Sequence, residues 1–152
     1  MAILTPVQSV DVTFSLDTSA YGSGDLIADS QVITNACPSE DVPAVLHSVV
    51  IVDEDDQKSA IDLVFFDANV SMGTENSAPS IADANARNCL GVVSIAAADY
   101  KDFGGVSVAT KDAIGKVVKP ASGTRNVYVA IVSNASTPTY TASGLRGRFG
   151  FI

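Results

Sequence analysis

The sequence predicts an all-β fold, an antiparallel β-sandwich or jelly roll, and three observations carry that prediction. Short runs rich in valine, isoleucine and phenylalanine recur along the 152 residues, roughly eight to ten of them, bounded by turn-forming residues. Several of these runs alternate apolar and polar residues with the period of two that a half-buried strand requires. One short stretch, near residues 81–90, has the look of a helical insertion. Strands of this number and length pack as two antiparallel sheets, with a closed barrel as the second architecture. The length fits one domain, 1–152, large enough to bury a core.

Val10 to Leu16 alternates throughout, with Val10, Val12, Phe14 and Leu16 inward and Asp11, Thr13 and Ser15 outward. A glycine-rich turn at Tyr21–Asp25 leads into a strand over Leu26–Thr34, weakened by Ala28 and Asp29, and Asn35–Pro43 is a loop. Leu46–Val52 and Ala60–Asp67 are apolar on both faces, as central strands are. A hairpin is expected to join them through the acidic turn Asp53–Gln57, its charges in water. Val70–Ala82 reads as an ordered surface excursion. Ser80 is placed to cap a helical turn reaching Leu90, with Asp83 at the third helical position and Gly91 ending it. Ile81, Ala84 or Ala86, and Cys89–Leu90 would then face the core.

Val92–Ala97 reads as a strand and Ala98–Phe103 as a connection closed by Gly104 and Gly105. Val106–Thr110 and Ile114–Lys119 are expected to form a hairpin about Lys111 and Asp112. Asn126–Ser133 is a strong strand and Asn134–Thr141 a loop. Leu145–Ile152 is a closing strand pinned in a sheet, with Leu145, Phe149 and Phe151 alternating with Arg146, Arg148 and Gly150.

Composition narrows the function. At 47% hydrophobic and 17% charged residues the chain is globular rather than disordered. No apolar run approaches the ~18 residues of a membrane helix, so no membrane partner is expected. The first ten residues lack a basic n-region and a long apolar stretch, so synthesis without a signal peptide, in a cytoplasm, is expected. Cys37 and Cys89 lack metal-ligand spacing and are expected to be free thiols, with a disulfide as the alternative.

The net charge of −8 argues against nucleic acid as a partner. Residues 1–99 hold fifteen of the seventeen acids with only Lys58 and Arg87 as bases, a net −13, whereas residues 100–152 are net +5. Such a chain suits head-to-tail contact with its own copies or a charged partner. The favoured reading is that folding interleaves the two parts and no dipole survives.

Catalytic chemistry finds little to work with. His47 is the sole histidine, in mid-strand, and neither GxSxG nor HExxH occurs, so it is read as structural or surface. No catalytic residue and no cofactor is assigned. Asp53–Asp56 is the best metal candidate, because calcium favours closely spaced carboxylates, but the acids are consecutive and no glycine follows, so a solvated turn is preferred. Tryptophan is absent and tyrosines number four, a poor supply for the aromatic platform of a sugar-binding sandwich.

Leu63–Asp67 followed by Gly73-Thr74-Glu75-Asn76, Ala82-Asp83 and Leu90–Ile95, then Val127–Val132, Thr137–Thr141 and Leu145–Ile152, form an ordered set. This set resembles small virion structural proteins of tailed bacteriophages, among which the capsid decoration (cement) proteins are understood best. The resemblance spans roughly residues 8–152. It implies a non-enzymatic β-sandwich that binds the outside of a shell of major capsid proteins and stabilises it, as a homo-oligomer, with a trimer favoured. It also implies location on the virion after synthesis in the bacterial cytoplasm, and it assigns no functional residue.

Contact elements in such a role are expected in an N-terminal arm of residues 1–7, with Met1, Ala2, Ile3 and Leu4, and in the closing strand, with Arg146, Arg148, Phe149 and Phe151. Either could instead be an ordinary edge strand. The alternative functions are a carbohydrate- or receptor-binding module of a phage head or tail fibre and a β-sandwich hydrolase with a carboxylate pair.

Overall fold

A computed structural model of the chain describes residues 7–152. Ten strands form two antiparallel sheets. The larger contains β1 (Gln8–Thr13), β3 (Ala44–Asp53), β6 (Tyr100–Asp102), β7 (Ser107–Lys111), β8 (Lys116–Val118) and β10 (Leu145–Phe151). Its order is β1-β10-β3-β7-β6, with β8 also on β3. The smaller contains β2 (Leu26–Ile33), β4 (Ile61–Phe66), β5 (Cys89–Ile95) and β9 (Val127–Ser133) in the order β2-β9-β4-β5.

The pairings are nested: β1 with β10, β2 with β9, β3 with β7 and β8, β4 with β5. A chain folded back once and then rolled up gives this pattern, which is a jelly roll. β6 is an addition at one edge, and β7 and β8 share the place of one strand. The expected β-sandwich or jelly roll is therefore the fold.

Nesting also corrects two expected hairpins. Leu46–Val52 and Ala60–Asp67 are not paired; β3 and β4 lie in opposite sheets, and the acidic loop between them crosses the sandwich. Two long apolar runs with a short polar joint look alike whether the chain turns within a sheet or between sheets. Likewise β7 and β8 do not pair with each other but run end to end along β3, against Val49–Asp53 and Ala44–Leu46. β3 carries a bulge at that break, with His47 as its extra residue opposite β10. The His47 carbonyl accepts the Ile114 N–H at 2.9 Å.

The helical insertion shrinks to α1 (Asp83–Ala86), which buries no residue and has no side-chain cap. Ser80 donates its N–H to the Met72 carbonyl instead of capping, and Cys89 and Leu90 belong to β5. The alanines and asparagines here have no apolar face wide enough to hold a longer helix on the core. Residues 98–103, expected as a connection, hold a 3₁₀ turn (Ala97–Asp99) and β6.

The inner faces meet in one large core that includes Phe14, Phe65, Phe149 and Phe151, with Phe65 and Phe149 edge to face at 5.9 Å. Val12, Phe14 and Leu16 are buried in alternation with exposed Asp11, Thr13 and Ser15, as their spacing requires. A second cluster lies on the outer face of the four-stranded sheet. There Val70 and Met72 of the excursion cover Leu26, Val64, Phe66 and Ala130.

Candidate functional site

Three features of the sequence were candidates for function: the acidic run, the closing strand and the chain ends. Each of the acids Asp53–Asp56 has a protein partner. Asp53 is fully buried; its two oxygens accept the Asp55 N–H at 3.0 Å and the Lys58 N–H at 2.8 Å. Asp56 and Lys58 sit at positive φ, +54° and +50°, which curls the loop so that its amides converge on that carboxylate. Burial pushes the Asp53 carboxyl above its ordinary value, against the opposing pull of the Lys58, Asp55 and Gln57 amides.

Glu54 pairs with Arg146 at 2.9 Å, and Asp56 with Lys58 at 2.9 Å. Asp55 reaches across to the β9–β10 loop, accepting the Thr141 N–H at 2.7 Å and its hydroxyl at 3.0 Å. Gly144 has no side chain because a Cβ there would run into the Asp55 carboxylate. The acidic run is thus a tether between two loops, with Asp53 buried and Glu54, Asp55 and Asp56 on the solvent side as a turn would place them. Among the described residues no three His, Cys, Asp or Glu side chains gather as a metal ion would need.

Next to this loop lies a buried polar group. Tyr100 and Tyr140 are buried beside Asp53, and burial raises both phenols well above their ordinary value. Ser107 stands directly opposite Asp53 in the β3–β7 ladder and is fully buried. The sequence places Tyr100 in a connection and Tyr140 in a loop, and their convergence on Asp53 depends on crossovers that local spacing does not encode.

The closing strand is interior, between β1 and β3, and so is not an edge strand. Its alternation holds: Phe149 and Phe151 are 0% and 1% exposed, while Arg146 and Arg148 stand on the outer face. The two phenylalanines belong to the core, and a folded partner would not reach them. Arg148 holds Asp11 at 2.7 Å, and that guanidinium keeps the Asp11 carboxyl below its ordinary value. Met1, Ala2, Ile3 and Leu4 lie outside the described residues.

The sheet edges differ in how they end. β2 is covered by the excursion: the Leu26 N–H donates to the Ser77 carbonyl and the Leu26 carbonyl accepts the Asn76 N–H, both at 2.9 Å. The Asp29 carboxylate pins the same segment, accepting the Met72 N–H at 2.8 Å and the Ser71 hydroxyl at 2.7 Å. β5 is kinked by a register shift and by Gly91 at φ +139°, and the Lys116 side chain lies over that glycine. Short, bulged or lysine-guarded edges resist strand addition. β1 has none of these guards. Its ladder with β10 is regular over all six residues, and its other side makes no backbone hydrogen bond among the described residues.

Among the strand residues, as distinct from the loops that hold most of the acids, the charge is unevenly divided. The strands of the larger sheet carry five bases and three acids; those of the smaller sheet carry Asp29, Asp62 and no base. The last third of the chain, where most bases lie, supplies β6, β7, β8 and β10 to one sheet and only β9 to the other.

His47 is exposed on β3; Cys37 is buried and Cys89 exposed, both unpaired. No helix among the described residues is long and apolar enough to cross a membrane.

No protein-family model matches the sequence, and no curated protein matches it. Among solved structures, a chain of Desmodium yellow mottle tymovirus superposes with a TM-score of 0.30 at 10% identity, over 99% of this chain and 82% of that one. A superposition of that quality carries no argument. The fold assignment rests on strand order and register.

Proposed function

We propose that this protein is a non-enzymatic structural component of a phage virion that binds the outer surface of the major capsid shell and stabilises it. The observation that carries the reading is the unguarded edge of β1. A strand of a shell subunit laid along β1 would extend the six-stranded sheet through main-chain hydrogen bonds, the mode of β-augmentation. Arg146 and Arg148, on the outer face beside that edge, would frame the contact. The sequence resemblance to decoration proteins supports the same reading, with assembly as a homo-oligomer on the shell after synthesis in the bacterial cytoplasm.

Co-sedimentation of the purified protein with empty shells, followed by electron cryomicroscopy of the pellet, tests it. Extra density at regular shell positions is the expected result; a protein that stays in the supernatant at saturating concentration refutes the assignment.

One observation favours a second reading, a glycan- or receptor-binding module. A polar cleft of about 580 Å³ opens at one end of the sandwich, lined by Asp41, Asp67, Asn69, Asn88, Lys119 and Ser122. Carboxylates and amides of this kind suit sugar hydroxyls, and binding of the isolated chain on a glycan array would support it.

A further inference from the structure

The two sheets treat their outer faces differently. The four-stranded sheet has its outer apolar residues sealed under the excursion, through Val70 and Met72. The outer face of the six-stranded sheet carries an apolar row at one end, beside Arg146 and Arg148, and among the described residues that row has no such cover. Continuing the β1–β10 register one residue beyond the Gln8–Phe151 pair sets Val7 beside Ile152. Ile152 exchanges both backbone hydrogen bonds with Val45, at 2.8 and 2.9 Å, and Val45 stands opposite Val117.

Val7, Ile152, Val45 and Val117 therefore form one continuous row across four strands. Three of them are 69%, 47% and 66% exposed, with Val45 half-buried. Three of the eight strongly exposed large apolar residues described belong to this row, Val7, Ile152 and Val117; Phe103 and Val106 lie at the opposite end of the sheet, in the β6–β7 turn beyond the Asp53–Ser107 pair. An exposed apolar row that crosses four strands marks a protein–protein contact.

We infer that this face is the contact between two copies of the chain, packed sheet on sheet. Charge and size both select a second copy. Four charges of the face pair within the chain, Arg148 with Asp11 and Arg146 with Glu54, which leaves Lys101 of β6 as its exposed base without an ion pair among the described residues. The chain as a whole is at −8, and the larger sheet is its less acidic side. Joining larger sheet to larger sheet holds the acidic sides of two copies farthest apart.

With β3 ten residues long, the face measures about 33 Å along that strand and about 24 Å across five strands. The other strands are shorter, so the face amounts to about 540 Å², and two copies joined by it would bury about 1,080 Å², just above the ~1,000 Å² that a specific interface needs. A two-fold contact lets each apolar row meet its own copy, which makes one patch self-complementary. The shell-binding proposal uses the main-chain groups of the β1 edge and this one uses side-chain packing on the adjoining face, so a variant of the row tests self-contact without removing the edge.

Sedimentation velocity of the full chain over a range of concentrations tests it. A dimer is expected, with Val117→Glu and Val7→Glu each weakening it at least tenfold. Val92→Glu, which places the same charge on the exposed β5 of the other sheet, should leave it intact. Far-UV circular dichroism of the variants checks that each is folded. A wild-type chain that stays monomeric at several hundred micromolar overturns the inference, as does a dimer equally weakened by Val92→Glu. Loss of shell binding in Val117→Glu without a wild-type dimer would also overturn it and assign the face to the shell.

Discussion

Asp53 is held between two opposing influences: burial, which disfavours its charge, and backbone amides, which favour it. With burial dominant, its folded-state pKa lies above the ordinary 3.8. Its contribution to stability is then complete below that value and is lost as pH rises through the folded pKa. Asp11, Asp17, Asp99 and Asp102 run the other way. Their carboxyls are lowered, chiefly by bonds from Arg148, the Ser19 amide, Lys111 and the Gly104 amide, so what they contribute is present above 3.8 and lost as pH falls.

Asparagine at 53 would offer one acceptor where two are used, destabilising the fold by about 1–3 kcal/mol. The stability gap between wild type and Asp53→Asn should narrow as pH rises from 3 to 7 in urea titrations. A gap that widens would mean that the amides outweigh burial.

Phe149 and Arg146 separate the two faces of the closing strand. Phe149→Ala empties a site beside Phe65 and should cost about 3–5 kcal/mol in urea unfolding. Arg146→Ala, on the solvent side, should leave the midpoint close to wild type. This difference is legible in the sequence, because period-two spacing assigns faces. The burial of Asp53 is not, since it depends on the left-handed turns at Asp56 and Lys58 and on a crossover to the other sheet.

At the scale of elements, β2 and the excursion form a unit. Asp29→Ala removes the acceptor of the Met72 amide and the Ser71 hydroxyl and should cost about 1–3 kcal/mol. Hydrogen exchange should accelerate at the amides of Met72, Leu26 and Asn76 ahead of those in β3 and β4. Unchanged exchange at Leu26 would show that the segment is held by its apolar contacts alone.

The strands themselves were legible, Val10–Leu16, Asn126–Ser133 and Leu145–Ile152 most clearly, because alternation is local. Their partners were not. A run such as Leu46–Val52 states which side chains are buried, not which strand lies beside it, and so both expected hairpins failed. The guarded and unguarded edges, on which the candidate site depends, were equally invisible for that reason.

For the whole molecule, nested pairing makes β1 and β10, the ends of the fold, direct neighbours. Loop closure must precede most of the reward, so refolding should fall in the millisecond-to-second range of non-local β proteins. Stopped-flow tyrosine fluorescence would check this, and a microsecond phase carrying the full amplitude would contradict it.

The same nesting has a consequence for synthesis. A ribosome releases β1 first and the partner it requires last among the strands, so the larger sheet cannot close during translation. Until β10 emerges, Phe14, Leu46 and Ile51 have no complete core to enter. The nascent chain therefore carries unburied apolar strands over most of its elongation, the condition in which chains aggregate. Slowing elongation before β10 should therefore lower the soluble yield more than slowing it after β10.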